Sequence, residues 1–90
     1  MKITSATIQF HELIGLEALV AKSNDPTLKN VSGKVVDESK NTLKLFVKDG
    51  VKIIPKAYSA FIFKLPDGTK VRIHGSLLAG RSEDRAEKFR

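Results

Sequence analysis

Two strand-like runs between Val31 and Lys48, separated by four polar residues, constrain the fold of this chain more than any other feature. Both runs alternate, VSGKVVDE and then LKLFVK, so successive side chains point to opposite faces of a strand. Between them, Lys40-Asn41 predicts a tight turn, because Asn tolerates a positive φ. The stretch predicts a β-hairpin with one face toward a core and lysines on the other. Its first run places four residues on the inward face: Val31, Gly33, Val35 and Asp37.

Further runs of the same kind predict four more strands, at 16–22, 51–56, 58–65 and 70–74. Asp-Gly pairs at 49–50 and 67–68 are strong hairpin signals. Six short antiparallel strands in 90 residues need closure to protect their edges. The predicted fold class is therefore mainly β, a six-stranded antiparallel barrel of the Sm-like or SH3-like kind. Gly33, inside a strand, predicts the bend at a barrel corner.

The two ends of the chain predict short helices. Phe10, Leu13 and Ile14 have the i, i+3, i+4 spacing of an apolar stripe, which predicts a helix over 8–14 whose apolar face must dock. A cap at Ser82, followed by acidic and then basic residues, predicts a second helix over 81–89. Residues 1–7 are expected to be mobile. The whole chain, 1–90, is predicted to form one RNA-binding domain.

The charge balance predicts a polyanionic partner. Sixteen Lys and Arg face ten Asp and Glu, which gives a net charge of +6 and a pI near 9.8. Such a charge is the electrostatic footprint of a nucleic-acid-binding domain. The absence of cysteine excludes disulfides and thiolate metal sites. Without a long apolar run we expect neither a membrane span nor a secretory signal, and a cytoplasmic protein.

Catalytic chemistry is not predicted for the chain alone. Its carboxylates fall mostly in turns and helix starts, and its two histidines have no nucleophile motif beside them. We therefore expect no catalytic residue and no bound metal. Among the aromatic residues, Phe61 and Phe63 are predicted to lie in the core. The sequence leaves three aromatic residues for base stacking or for docking of a partner: Phe46, Tyr58 and Phe89.

Four blocks together resemble a known family. They are HELIGL at 11–16, GKVVDESKNTL at 33–43, LPDGTKV at 65–71 and GSLLAGRSEDR at 75–85. In this order and spacing they resemble archaeal ribonuclease P protein component 1, the p29-type subunit family, over residues 8 to 88. The last block departs from the family at Ser82, where a proline is frequent, but both residue types suit a helix start.

The resemblance implies an Sm-like barrel with terminal helices and a supporting role in an RNA enzyme. Ribonuclease P removes the 5′ leader of precursor tRNA, and its RNA carries the active site with magnesium. The implied partners are that RNA, precursor tRNA, the small zinc-binding protein subunit and the other protein subunits, and no cofactor is expected on this chain. Charge and placement suggest RNA contacts at Lys40, Lys56, Lys70, Arg72, Arg81 and Arg85. The expected contacts to the partner protein are Phe10, Leu13, Ile14 and Phe89.

Two other classes of protein remain open from the residues alone. A free-standing Sm-like or ribosomal-type RNA-binding protein would assemble into rings or associate with the ribosome. An SH3-like interaction module would use its basic face to bind acidic proteins, and this binding would persist after nuclease treatment.

Overall fold

The computed structural model describes residue 8 and residues 12–80, and these form one antiparallel sheet. Its strands are β1 (Glu17–Lys22), β2 (Ser32–Glu38), β3 (Thr42–Val47), β4 (Gly50–Pro55), β5 (Ala60–Lys64) and β6 (Lys70–His74). A 3-10 helix, Gly75–Leu78, follows the last strand. The six predicted strands are confirmed.

The sheet has the strand order β4-β3-β2-β1-β5-β6, so β2 lies between β3 and β1 and pairs with both of them. Its first residues, up to Lys34, pair with β1, and its residues from Lys34 onward pair with β3. A side chain at Gly33 would collide with the backbone oxygen of Phe46. Only glycine allows so close an approach at this corner, as the sequence predicts for Gly33.

One hydrophobic core lies inside the curled sheet. Every strand contributes to it, and the segments before β1 and after β6 add to it. The rings of Phe61 and Phe63 are both buried, with centroids 5.8 Å apart, which confirms their predicted core position. Alternate residues of β1 and β3 face the core because a strand repeats every two residues. The buried members on these two strands are Ala18, Val20, Leu43 and Leu45.

Closure of the barrel by strand pairing, which the sequence led us to expect, is wrong for the described residues: β4 and β6 do not pair with each other. Individual backbone hydrogen bonds to the turn between β2 and β3 replace this strand pairing. The N–H of Lys56 donates to the Asn41 carbonyl (2.8 Å), and the N–H of Gly80 donates to the Lys40 carbonyl (2.9 Å). The segments after β4 and after the 3-10 helix are therefore both fastened to the turn between β2 and β3.

The turn at Lys40-Asn41 is confirmed, but a positive φ at Asn41 does not produce it. The hydroxyl of Ser39 accepts the Thr42 N–H (3.1 Å) and lies 2.6 Å from the Thr42 hydroxyl. The N–H of Ser39 donates to the Thr42 carbonyl (3.0 Å). Side chain to backbone bonds of this kind close a turn without a left-handed residue.

A β-bulge in β2 changes which acidic residue faces inward. Val35 pairs with Leu45, but the next pair is Asp37 with Lys44, so Val36 is the extra residue. An inserted residue reverses the alternation beyond it. The predicted inward position of Asp37 is therefore wrong. Asp37 is exposed, and Glu38, opposite Leu43, has the buried side chain.

In the segment before β1, the helix predicted over 8–14 is wrong for residues 12–14, which are not helical, whereas Ile8 has 3-10 conformation. Residues 12–16 form a turn in which the N–H of Leu16 donates to the Leu13 carbonyl (3.1 Å), and Gly15 has a φ of 97°. Leu13 lies in the core, whereas Ile14 is exposed. Residues 9–11, the predicted mobile segment 1–7 and the predicted helix 81–89 lie outside the described residues. Within the described part of the chain, no helix has the length and apolar character needed to cross a bilayer.

Candidate nucleic-acid interface

Two rows of side chains cross the outer face of β2, β1, β5 and β6. The strand register defines both rows, because residues paired across strands point to the same face about 4.5–5.5 Å apart. The first row runs Lys34, Glu17, Lys64, Lys70, and the second runs Ser32, Leu19, Ile62, Arg72. The residues between them on β1 and β5, such as Ala18 and Phe63, are buried. The rows therefore belong to the surface opposite the core.

The rows line an open groove of about 510 Å³. Half-buried Leu19 and Ile62 form its floor, and charged residues form its rim. Its lining residues are Glu17, Ala18, Leu19, Ser32, Gly33, Lys34, Ile62, Lys64 and Lys70. We call this surface, together with Arg72 at the end of the second row, the lysine groove.

The lysine groove has a strong positive bias. Its two rows hold three lysines and one arginine against a single carboxylate, Glu17. Lysine binds phosphate as a mobile point charge, and the planar guanidinium of Arg72 can donate two parallel hydrogen bonds to one phosphate. A groove with this lining suits a polyanionic backbone. The described residues contain no group of three or more His, Cys, Asp or Glu that could hold a metal ion.

The outer face of the sheet on β2, β3 and β4 carries mainly exposed apolar side chains, in contrast to the basic lysine groove. Phe46 pairs with Val51, and Lys44 pairs with Ile53, so these side chains share one face. The N–H of Gly15 donates to the Val35 carbonyl (2.8 Å), which brings the turn carrying Ile14 to the bulge in β2. We call this surface the apolar face, and its exposed members are Ile14, Val36, Phe46, Val51 and Ile53.

Comparison with known proteins identifies the family. Residues 6–88 match the family model described as ribonuclease P/MRP, subunit p29. The chain belongs to the p29 family. The resemblance to archaeal ribonuclease P protein component 1 is thereby confirmed, and with it the function class of a ribonuclease P protein subunit. Neither the free-standing RNA-binding protein nor the SH3-like module is favoured.

Archaeal relatives extend over nearly the whole chain. The p29-family chain is 42% identical over 87 residues to ribonuclease P protein component 1 of Methanothermobacter thermautotrophicus, covering 96% of this chain and 94% of the relative. It is 44% identical to the protein of the same name from Desulfurococcus amylolyticus, covering 94% of each chain. The solved structure of Mth11, a homologue of the human RNase P protein Rpp29, matches with a TM-score of 0.61 and 42% identity, covering 83% of this chain and 97% of that one.

The structure brings together two of the predicted RNA-contacting residues of the p29-family chain. Lys70 and Arg72 are exposed on β6 and belong to the lysine groove. Lys40 is exposed in the turn after β2, where its carbonyl accepts the Gly80 N–H, so it lies beside the chain that leads to Arg81. Arg81 and Arg85 are outside the described residues.

Lys56 lies in a different environment from the one predicted. Its side chain is only 2% exposed, and its Nζ lies 2.8 Å from Glu38 Oε2. The same Nζ donates to the carbonyls of Ser39 (2.8 Å) and Gly80 (2.8 Å), with the Lys40 carbonyl at 3.4 Å. The expectation that Lys56 projects outward to contact RNA is therefore wrong, because its ammonium group is held inside the protein.

The residues predicted to contact a partner protein also differ in their exposure. Ile14 is exposed on the apolar face, whereas Leu13 is wholly buried, so the expectation that Leu13 faces a partner is wrong. Phe10 and Phe89 lie outside the described residues.

Sequence reasoning missed two lysines that complete the groove of the p29-family chain. Lys34 and Lys64 look like any other strand lysine when the sequence is read in order. The register places both beside Glu17, one on each side. The available signal was the Asp67-Gly68 turn, since strands closed by a known turn pair outward from it and bring Lys64 opposite Lys70.

Proposed function

We propose that this chain is a non-catalytic, RNA-binding protein subunit of an archaeal ribonuclease P. In this proposal the lysine groove grips the catalytic RNA and supports its removal of the 5′ leader of precursor tRNA. One observation carries the proposal. The strand register gathers Lys34, Lys64, Lys70 and Arg72 on one face of the sheet, and the three lysines line the groove. The cytoplasmic location of the protein stays a prediction from its sequence.

The groove suits the backbone of folded RNA better than an array of unpaired bases. Its floor is aliphatic, from Leu19 and Ile62, and among the described residues no aromatic side chain lines it. A platform for single strands uses aromatic stacking, whereas folded RNA is bound through phosphates and 2′-hydroxyls. The lysines supply the phosphate contacts. Glu17 and Ser32 supply hydrogen-bond acceptors that a ribose 2′-hydroxyl can reach and that DNA would not satisfy.

Magnesium belongs to the RNA in this proposal. The described residues offer no cluster of metal-binding side chains, and the groove is lined by cations that repel a divalent ion. The contribution of the protein is to neutralise phosphates and hold RNA segments together. Bound magnesium supplies the activation of water and leaving group in the RNA.

Replacement of three cations inside the groove, compared with three outside it, tests whether the groove binds RNA. The triple variant Lys64→Gln, Lys70→Gln, Arg72→Gln removes three cations from the groove, and Lys44→Gln, Lys48→Gln, Lys52→Gln removes three from β3, β4 and the turn between them. Each lost phosphate contact lowers the slope of log affinity against log salt by about 0.7–0.9. We therefore expect the groove variant to lose about two to three units of slope for the cognate ribonuclease P RNA, and the control variant to lose little. Equal losses, or no loss in the groove variant, would contradict the assignment.

We also propose that the apolar face docks a protein subunit of the same enzyme, the small zinc-binding one. Five exposed apolar side chains lie together there, and they continue to β4, which is an edge strand in the described part of the chain. Exposed apolar patches and open strand edges are typical of protein-binding surfaces.

Co-elution with the purified zinc-binding subunit tests this surface. Ile14→Asp combined with Ile53→Asp places two charges on the apolar face, and Leu77→Asp places a charge on an exposed apolar residue of the 3-10 helix. We expect the first variant to elute alone and the second to remain in the complex. Survival of the complex in both variants would remove the apolar face from the interface.

A further inference from the structure

Tyr58, between β4 and β5, has a backbone conformation that its side chain disfavours. Its φ is 62°, in the left-handed region where a Cβ crowds the neighbouring carbonyl oxygen. The other non-glycine residue with a positive φ in the described segments is Asn30, a residue type that tolerates it. The Tyr58 side chain is 69% exposed, so burial does not compensate for this conformation. Strain of this kind persists at functional positions when the surrounding structure enforces it.

The backbone around Tyr58 is firmly held. On one side, Lys56 is buried, and its Nζ bonds carbonyls of the turn after β2 and of the segment after the 3-10 helix. On the other side, Ser59 is buried, and its carbonyl accepts the Gly75 N–H (2.7 Å). The turn is thus fixed at both ends, and the aromatic ring projects from a rigid base. A backbone held in this way has little further conformational entropy to lose when the ring binds a ligand.

The surroundings of Tyr58 favour an anionic ligand. Ala60 pairs with His74, so the turn lies beside the last residue of β6, and exposed Arg72 is two residues earlier on the same face of that strand. The Nδ1 of His74 accepts the Ser76 N–H (3.2 Å), which puts the ring hydrogen of the neutral imidazole on Nε2, a donor. The carboxylate of Glu38, which belongs to the hydrogen-bond network of the turn, is paired with Lys56.

We propose that Tyr58 is a base-stacking residue that takes an unpaired nucleobase of the RNA. The inference rests on the proposed function, and it adds a contact to a base where the lysine groove contacts the backbone. Single-stranded loops and bulges are recognised by stacking of splayed bases on exposed aromatic rings. The donor on His74 and the guanidinium of Arg72 then serve the phosphates that flank this base.

Intrinsic fluorescence tests stacking directly. The chain has one tyrosine and no tryptophan, so its ultraviolet emission reports on Tyr58. Titration with the cognate ribonuclease P RNA, corrected for absorbance with free N-acetyltyrosinamide, should quench this emission in proportion to binding. Binding without quenching, detected by gel shift under the same conditions, would overturn the proposal.

Two variants separate stacking from a structural role. Tyr58→Asn suits the left-handed backbone but removes the ring, and Tyr58→Phe keeps a ring that stacks. We expect Tyr58→Asn to keep or raise the urea midpoint of unfolding while weakening RNA binding about 5- to 150-fold, the range found for loss of one base stack. Tyr58→Phe should bind like the parent protein. A large loss of stability in Tyr58→Asn would make Tyr58 structural and overturn the proposal.

The remaining outcomes distinguish this inference from the proposed function. If the groove variant loses affinity and Tyr58→Asn does not, the stacking proposal fails and the RNA-binding function stands. If Tyr58→Asn weakens only the co-elution with protein subunits, the residue docks protein and the proposal fails. If neither variant changes RNA affinity, both proposals fail.

Discussion

The Nζ of Lys56 lies 2.8 Å from Oε2 of Glu38, and the two side chains are only 2% and 3% exposed. The same ammonium group bonds carbonyls of Ser39 and Gly80. It therefore joins the end of β2, the following turn and the segment after the 3-10 helix, at the place where β4 and β6 do not pair. A buried ion pair is tolerated only when hydrogen bonds satisfy it, and this one has such bonds.

Removal of the Lys56 charge should destabilise the protein strongly. Lys56→Met leaves the Glu38 carboxylate buried without its ammonium partner, and we expect the free energy of unfolding to fall by about 3–5 kcal/mol. Urea denaturation measures the loss. Lys52→Met, at an exposed lysine of the preceding strand β4, should change stability by no more than about 0.5 kcal/mol.

The double variant Lys56→Met, Glu38→Leu tests the cause of that loss. Replacement of both charges by apolar groups removes the buried carboxylate together with the ammonium, so most of the stability should return. If the double variant is as unstable as Lys56→Met, the ammonium is needed for the carbonyls that it bonds and not for the carboxylate.

Gly33→Ala should be the most damaging small substitution in the sheet. A methyl group there collides with the backbone oxygen of Phe46, and a strand in the middle of the sheet has little room to move. We expect a loss of about 3 kcal/mol or more in urea denaturation, at the upper end for overpacking.

Gly68→Ala is the matched control for this glycine. It has open space around the added methyl group but a φ of 90°, so the strain should cost about 1–2 kcal/mol. If both variants lost the same stability, close contact between β2 and β3 would not be the reason for glycine at position 33.

The pKa of the Asp25 carboxyl should depend on the hydrogen bonds that Thr27 donates to it. The Thr27 hydroxyl (2.7 Å) and then its backbone N–H (2.9 Å) donate to the carboxylate and hold the pKa of Asp25 below its ordinary value of 3.8. A lowered folded-state pKa stabilises the fold above the unfolded-state pKa, and this stabilisation is lost as pH falls through the folded-state value. The stabilisation by this carboxylate should therefore be lost progressively below about pH 3.8.

Thr27→Val removes the hydroxyl and keeps the backbone N–H. The pKa of Asp25, measured by NMR titration of its carboxyl carbon, should rise toward 3.8 without reaching it. Thr69→Val, in the turn after β5, should leave the pKa of Asp25 unchanged. An unchanged pKa in Thr27→Val would show that the hydroxyl bond is not the main cause.

Leu13 and Ile14, adjacent in sequence, should behave oppositely. Leu13 is wholly buried in the core, so Leu13→Ala should cost about 2–5 kcal/mol of unfolding free energy. Ile14 is 44% exposed, so Ile14→Ala should stay within about 0.5 kcal/mol. Thermal and urea unfolding measure both. Equal losses would mean that Ile14 packs in the core as well.

The parts of the fold that the sequence predicted are those with local signals. Alternation gives the strands, and Asp67-Gly68 gives the turn that brings Lys70 and Arg72 onto one outward-facing strand. The inward direction of Glu38 depends on the bulge at Val36, and no feature of VVDE distinguishes the extra residue. A shift of one residue reverses every side chain beyond it.

The buried position of Lys56 was beyond sequence reasoning for a different reason. Its hydrogen-bond partners at Glu38, Ser39 and Gly80 are 18, 17 and 24 residues away in the sequence. A lysine after a strand of a basic protein is usually solvated. Only the three-dimensional arrangement shows that one lysine joins the two ends of the open sheet, where the sequence predicted a closed ladder.

The single strand β2 serves both halves of the outer surface. Its residues Ser32, Gly33 and Lys34 belong to the lysine groove, and its bulge at Val36 borders the apolar face. A nucleic acid and a protein bound at these two places would contact different residues of the same strand. Assembly of such a particle would then need no exchange of one ligand for the other, and the two could arrive in either order.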